Sequence, residues 1–333
     1  MRFLLKLFLL AIIAGAAVWW DASRLLGRPL PLQQSTPVEI LPGSSLSAVL
    51  ADLQQRGVLQ PARLGLYTRL YARATGVSGS LKAGEYELPP GSNVLAMLNL
   101  FVEGKTRLHE LRIVEGWTFA QALAAVRADP MLRQTQPEAS AEELMATLGA
   151  AGRHPEGRLF PDTYKFPKGT TDLAFLRRAA EAMDRTLQQE WEARDPDLPY
   201  ATPEEALVMA SVVEKETGAV AERPQIAGVF VRRLRLGMRL QTDPTVIYGI
   251  GADFDGNITR EHLLADTPYN TYTRDGLPPS PICLPGRAAI HAALHPAAGN
   301  ALYFVSRGDG SHQFSDTLAE HDAAVRRFQL GQP

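Results

Sequence analysis

Eight consecutive residues, Ala206 to Val213, are apolar except for Ser211, and the run is bracketed by Thr202-Pro203-Glu204-Glu205 and Glu214-Lys215-Glu216-Thr217-Gly218. Thr at an N-cap, Pro at the first helical position and Glu205 three residues after the Thr form a helix start, with Glu205 predicted to close a capping box. Gly218 supplies the stop, so the spacing predicts one helix from about Pro203 to Thr217. Since its apolar residues occupy every face, that helix has to lie in the middle of a domain. Its end poses a question, because carboxylates belong at helix starts and the C-terminal dipole repels them.

Burial and dipole both disfavour the ionised form, so Glu214 or Glu216 should titrate high unless Lys215 or an arginine compensates. A carboxylic acid that stays protonated near neutral pH suits general acid catalysis, above all protonation of a glycosidic oxygen. Two residues apart on a helix is about 200° of rotation, so one glutamate at most can face a given cleft. The same residues also admit a plainer reading, a solvated helix end with both glutamates paired to Arg223 or Lys215.

The chain has 333 residues, 45% of them hydrophobic, with 34 basic and 36 acidic side chains. This is the profile of about two folded domains, and a net charge of -2 offers a nucleic acid no general attraction. The first 20 residues differ in kind: Leu7 to Trp20 carries no charge. Counted from Phe3 with Lys6 snorkelling, the segment makes a helix of about 27 Å, close to one hydrocarbon thickness, and Trp19 and Trp20 suit an interface. It reads as an uncleaved membrane anchor. A signal peptide cleaved near Ala14-Gly15-Ala16 is the rival, but bulky tryptophans directly afterwards make a poor cleavage context. Arg2 and Lys6 before the segment balance Arg24 and Arg28 after it, so charge does not set orientation. An N-terminal anchor most simply places the long remainder outside the cytoplasm. Cys283, the single cysteine, allows no internal disulfide.

After the anchor, "GRPLPLQQSTP" reads as a linker. A weak internal echo follows in 38–53, 86–101 and 111–126, each a short strand, a turn with glycine and an amphipathic helix. Such units form either a compact binding module or strand-helix elements of one larger domain. Ser140 to Glu143 reads as a capping box and Thr171 to Arg194 as a helix up to Trp191. Residues 156–169 are too dense in Pro and aromatic residues for a helix, and suit a core-packed loop or a cleft wall. A second helix is predicted over 222–238, with Ile226, Val229, Phe230 and Leu234 on one face. Beyond it, Gln241, Thr242, Asp243, Tyr248, Tyr269, Asn270 and Tyr272 fall on short loops between Pro and Gly residues. Neutral hydrogen-bonding groups mixed with aromatics suit a carbohydrate cleft. The histidines show no HExxH-type metal spacing, and neither a glycine-rich phosphate loop nor a GxSxG elbow occurs.

"LFPDTY", "ASVVEKETG", "RLRLGMRLQTDPTVIYGIG", "TPYNTYTRDGLPPSPICLPG" and "ALYFVSRGDGSHQFSDTLAEH" together resemble the YceG-like family of MltG-type endolytic murein transglycosylases, over roughly residues 36 to 330. The resemblance implies an α+β protein: a tip and transmembrane helix (1–22), a linker (23–36), a LysM-like subdomain (37–110) and a catalytic domain (111–330) built on the buried helix. It implies an endolytic lytic transglycosylase of the bacterial inner membrane, single-pass through residues 3–20, whose periplasmic part cuts nascent glycan strands between MurNAc and GlcNAc, leaves 1,6-anhydroMurNAc ends and so stops strand elongation. No cofactor or metal is implied; peptidoglycan synthases are candidate partners. The family's catalytic glutamate is the first of its EKET motif, here Glu214. The Cys of "SPICLPG" departs from the expected smaller or unreactive residue.

A lytic transglycosylase needs one carboxyl group, because the acid that protonates the leaving oxygen can then take the proton of the substrate's own C6 hydroxyl. A hydrolase needs two, and Asp243 and Glu222 are the candidates for the second, although Glu222 reads equally as a helix-start acid and Asp243 as part of an Asp-Pro turn. Gln241, Asp243, Tyr248, Asn270 and Tyr272 are assigned to substrate binding. The competing classes are a noncatalytic wall-binding anchor and a muramidase that hydrolyses with water.

Overall fold

The computed structural model describes residues 2–331; Met1, Gln332, Pro333 and the side chain of Arg2 lie outside the description. The chain divides into two compact units, one comprising residues up to 109 with 165–170, the other 110–164 with the residues from 171 onward.

The first unit begins with α1 (Arg2–Gly27), long and apolar enough to cross a membrane, with Phe3 to Trp20 exposed along its length. Its last turns behave differently. Asp21 accepts hydrogen bonds from Arg63 at 2.8 Å and Tyr67 at 3.0 Å, and Leu25 and Leu26 are buried with Leu30 in the unit's core. The stretch 23–36 is therefore not a free linker: a helical apolar pair at the end of α1 and Leu30 beyond it are worth burying, whatever the surrounding Pro and Gln suggest.

Strands β1 (Thr36–Ile40) and β2 (Gly84–Leu88) pair antiparallel with Val38 opposite Tyr86. Between them run α2 (Leu46–Gln55) and α3 (Arg63–Ala74), and α4 (Val94–Glu103) follows β2. Alternation puts Val38, Ile40, Tyr86 and Leu88 on one face of the ribbon, where they are buried with Leu50 and Leu53 of α2 and Met97 and Phe101 of α4. The first two segments of the sequence echo are thus β1–α2 and β2–α4. Each helix starts as its sequence indicates, with Ser45 accepting from the Ala48 amide and Asn93 from the Ala96 amide. The third segment is β3 (Leu108–Arg112) and α5 (Phe119–Ala128). Strand β3 pairs with β4 (Thr163–Pro167), so the span 156–169 holds a strand as well as a loop, and Leu159 and Phe166 in it are fully buried.

In the second unit, α6 (Ala141–Thr147) and α7 (Asp172–Glu192) start on the predicted caps. Helix α8 (Pro203–Glu216) carries Ala206 to Val213, all buried, and is packed by α7, by α9 (Arg223–Arg235) and by α12 (Arg287–Leu294). Its capping box is only half formed: Thr202 accepts from the Glu205 amide, but Glu205 accepts from the Ala201 amide, one residue upstream. Helices α10 (Asp243–Ile250) and α11 (Arg260–Leu264) lie between α9 and α12. The antiparallel pair β5 (Tyr303–Ser306) and β6 (His312–Ser315), then α13 (Leu318–Phe328), complete the unit. Asp243 and Tyr248, expected on loops, belong to α10.

Candidate active site

Ser211, the one polar residue in the apolar run, organises the end of α8. Its hydroxyl donates to the Val208 carbonyl at 2.7 Å and accepts the Ile282 amide at 2.9 Å, so the buried group is satisfied twice. Cys283 is buried and its thiol donates to the Ser211 carbonyl. One residue on, the Leu284 amide donates to the Trp117 carbonyl at 2.7 Å and the Leu284 carbonyl accepts the Gly116 amide at 2.9 Å. This pinned strap delivers the Gly286 amide, at the start of α12, to Glu214 Oε2 at 2.9 Å. The helix N-terminus thereby offsets part of the repulsion from the C-terminal end of α8.

Glu214 Oε1 accepts from Arg223 Nη2 at 2.7 Å, and both side chains are 5% exposed. Arg223 also faces Glu115 Oε2 at 3.7 Å, while Lys215 turns to the Gly116 carbonyl. The pairing of Glu214 with Arg223 that the plainer reading expected is present, but the pair is buried rather than solvated. Burial raises the Glu214 pKa; the Gly286 amide and Arg223 oppose it, Glu115 adds to it, and the net shift is upward. The carboxyl group is thus held above its ordinary titration range by burial and has a charged donor ready for its ionised form.

Glu216 points elsewhere, as the rotation between the two requires. It accepts from the Thr242 hydroxyl, and burial raises its pKa. It lines a cavity of about 510 Å³ in the second unit with Arg233, Gln241, Asp243, Tyr272, Tyr303, His312 and His321. Gln241 sits there with φ at +51°, in the left-handed region that non-glycine residues rarely occupy, a form of strain that gathers at functional sites. The Tyr272 hydroxyl donates to Asp243 at 2.6 Å.

Three of the five residues assigned to substrate binding, Gln241, Asp243 and Tyr272, therefore meet at one cavity. Asn270 does not belong with them. It is fully buried; its amide nitrogen donates to the His262, Leu263 and Ala265 carbonyls, and its oxygen accepts the Tyr272 amide. Tyr248 also serves the scaffold, with its ring 4.9 Å from that of Tyr269 and its hydroxyl on Glu156. Of the two candidate second carboxylates, Glu222 is held by the amide and ring of His312, in β6, rather than capping a helix. Asp243 opens α10 and is engaged by Tyr272.

Sequence reasoning missed Glu156. It is 4% exposed, accepts the Phe119 amide at 2.8 Å and the Tyr248 hydroxyl at 3.1 Å, and burial lifts its pKa to about 7. It also missed Glu115, Gly286 and Arg233; the only local signal was Gly286 before a helical apolar pattern.

A model of the YceG-like family matches residues 38–327 of this chain. The chain belongs to the YceG-like family. An endolytic murein transglycosylase of Bacillus subtilis is 31% identical over 95% of this chain and 91% of its own length. One of Streptococcus pneumoniae serotype 2 is 27% identical over 97% of this chain, which spans 64% of that longer protein. The crystal structure of a yceG-like protein from Listeria monocytogenes superposes with a TM-score of 0.55 at 32% identity, covering 88% of this chain and all of that one. For this YceG-like chain, the residues of the EKET motif are those whose carboxylates the fold buries on two different faces of the end of α8.

Proposed function

We propose that this chain is an endolytic murein transglycosylase in which Glu214 is the single acid and base. The observation that carries the reading is a buried, high-titrating carboxyl group fixed by the Gly286 amide and poised against Arg223. Protonated Glu214 gives its proton to the glycosidic oxygen as the bond from C1 of MurNAc to that oxygen breaks. The resulting carboxylate takes the proton of the C6 hydroxyl as O6 bonds to C1, which closes the 1,6-anhydro ring and returns the enzyme to its starting form. No water is consumed, and one carboxyl group serves both steps. Arg223 and the Gly286 amide stabilise the carboxylate between them.

The cavity beside Glu216, which Glu214 does not line, is read as holding a part of the glycan strand away from the reacting bond, with Gln241, Asp243 and Tyr272 presenting hydrogen-bonding groups next to aromatic rings. The first unit is read as LysM-like and wall-binding, supported by its strand, two helices and strand order with the strands paired antiparallel. Helix α1 is read as a single-pass inner-membrane anchor that leaves both units in the periplasm.

The test is mass spectrometry of products from uncrosslinked glycan strands incubated with the full chain in detergent. Internal fragments one water lighter than hydrolysis products support the proposal; reducing ends make the protein a muramidase, with Glu115 the carboxylate nearest the Arg223–Glu214 pair; intact strands leave a wall-binding anchor. Arg223→Met is expected to lower kcat about tenfold, the loss of one charge-assisted hydrogen bond. It also removes an interaction that favours ionised Glu214, so the alkaline limb of the kcat/KM profile moves to higher pH. Tyr272→Phe deletes only the hydroxyl on Asp243. It is expected to raise KM about fivefold with kcat within about a factor of two, measured by steady-state release of fragments.

A further inference from the structure

The second unit carries a histidine-carboxylate cluster that takes no part in the chemistry above. His291 and His295 are four residues apart at the end of α12, their ring centroids 4.3 Å apart, and Glu190 of α7 stands beside them. One nitrogen of each ring and one oxygen of Glu190 all lie within 4.8 Å of one another. We propose that Glu190, His291 and His295 form a binding site for a divalent transition metal ion of the zinc, cobalt, nickel and copper type, joining α7 to α12.

The donor chemistry selects that class. Two imidazoles and one carboxylate favour borderline cations over calcium or magnesium, which prefer all-oxygen sets. Helical spacing of four residues puts both rings on one side of α12. His295 is already oriented by a carboxylate outside the ligand set, with its Nδ1 2.9 Å from Asp195 Oδ1, a contact that fixes the ring and strengthens it as a ligand. Glu190 Oε2 stands 2.8 Å from His291 Nδ1 and would exchange that hydrogen bond for the metal. Metal bonds of about 2.0–2.1 Å in a tetrahedral site require the donors to draw closer than they stand. Exposure makes that feasible, since the His291 side chain is 57% exposed and free to turn, whereas Glu190 is 11% exposed and stays as the fixed point. Arg287 opposes binding, because its Nη1 holds the other oxygen of Glu190 at 2.9 Å.

Binding would tie the C-terminal end of α12 to α7. The N-terminal end of α12 supplies the amide that holds Glu214, and α12 packs along α8. The consequence is a stiffer catalytic unit.

The test uses the full chain in detergent, free of any affinity tag and stripped with EDTA. Cobalt(II) is titrated and followed by d–d absorption, with zinc(II) as competitor, and Tm is measured with and without zinc. One equivalent of cobalt bound with a four- or five-coordinate spectrum, displaced by zinc, is expected, and zinc at about a hundred times its Kd raises Tm by roughly 5 °C. His291→Ala and His295→Ala each lose the spectrum and the shift, while Arg287→Ala binds more tightly because it frees Glu190. Absence of stoichiometric binding, or binding unchanged in the two histidine variants, overturns the proposal. His291 is exposed and His295 half-buried, and the Tm of each variant without metal reports whether it folds.

Discussion

Glu214→Gln is expected to reduce cleavage of glycan strands by about 10³-fold or more while the fold is retained, at a cost in stability because Arg223, 5% exposed, loses its close charged partner. In the proposed mechanism both proton transfers pass through this one group, and a positioned acid or base is worth about 10²–10⁴-fold for each step it assists. The amide has the shape of the protonated acid, which burial already favours at this position. Its oxygen can still accept the Gly286 amide, so the strap from Ile282 to Gly286 keeps its end point. Arg223 loses its close partner but keeps Glu115 at 3.7 Å. A binding protein would lose nothing on this substitution, so strand retention by the variant in a pull-down, alongside the missing fragments, separates catalysis from binding. Residual cleavage within tenfold of the parent would remove Glu214 from the chemistry and leave the buried pair as structure.

The carboxylate at the end of α8 was legible in the sequence because its two arguments are local. Thr202, Pro203 and the apolar run specify a buried helix within fifteen residues, and helical rotation separates Glu214 from Glu216 without knowledge of anything else. The starts of α6, α7 and α8 were legible for the same reason, each N-cap being satisfied three residues away. What completes the site is not local. The Gly286 amide is 72 residues from Glu214, and Glu156 reaches the Phe119 amide across 37. No periodicity links such positions.

Misread residues failed for a related reason. An Asn beside two tyrosines in a turn is equally good as a sugar ligand or as a knot tying three carbonyls, and only the path of 262–265 decides that Asn270 is the latter. The linker reading of 23–36 rested on composition, which reports the absence of regular structure and says nothing of burial; Leu25, Leu26 and Leu30 are fixed by the core they enter. The cluster at His291 escaped because its carboxylate lies 101 residues upstream on another helix.

Glu156→Gln is expected to make the protein more stable at neutral and alkaline pH and equally stable in acid. Glu156 is enclosed, and its pKa stands at about 7 against 4.5 for the free side chain. The folded state therefore holds a proton that the unfolded state releases earlier, and stability falls as pH rises through the interval between the two values. Below about pH 4.5 both states are protonated and nothing is lost; above about pH 7 the loss is complete, and at 1.36 kcal/mol per unit it amounts to about 3 kcal/mol. Gln reproduces the protonated side chain in size, still accepts the Phe119 amide, and can donate to the Tyr248 hydroxyl, so it carries no such loss. Other groups titrate in both proteins, and their contributions cancel in the difference. Urea unfolding of parent and variant from pH 4 to 8, followed by circular dichroism, should give a difference near zero at the acid end that grows to about 3 kcal/mol and then levels. A flat difference would mean that Glu156 titrates alike in the folded and unfolded protein, with the Phe119 amide and Tyr248 hydroxyl stabilising its carboxylate enough to offset its burial.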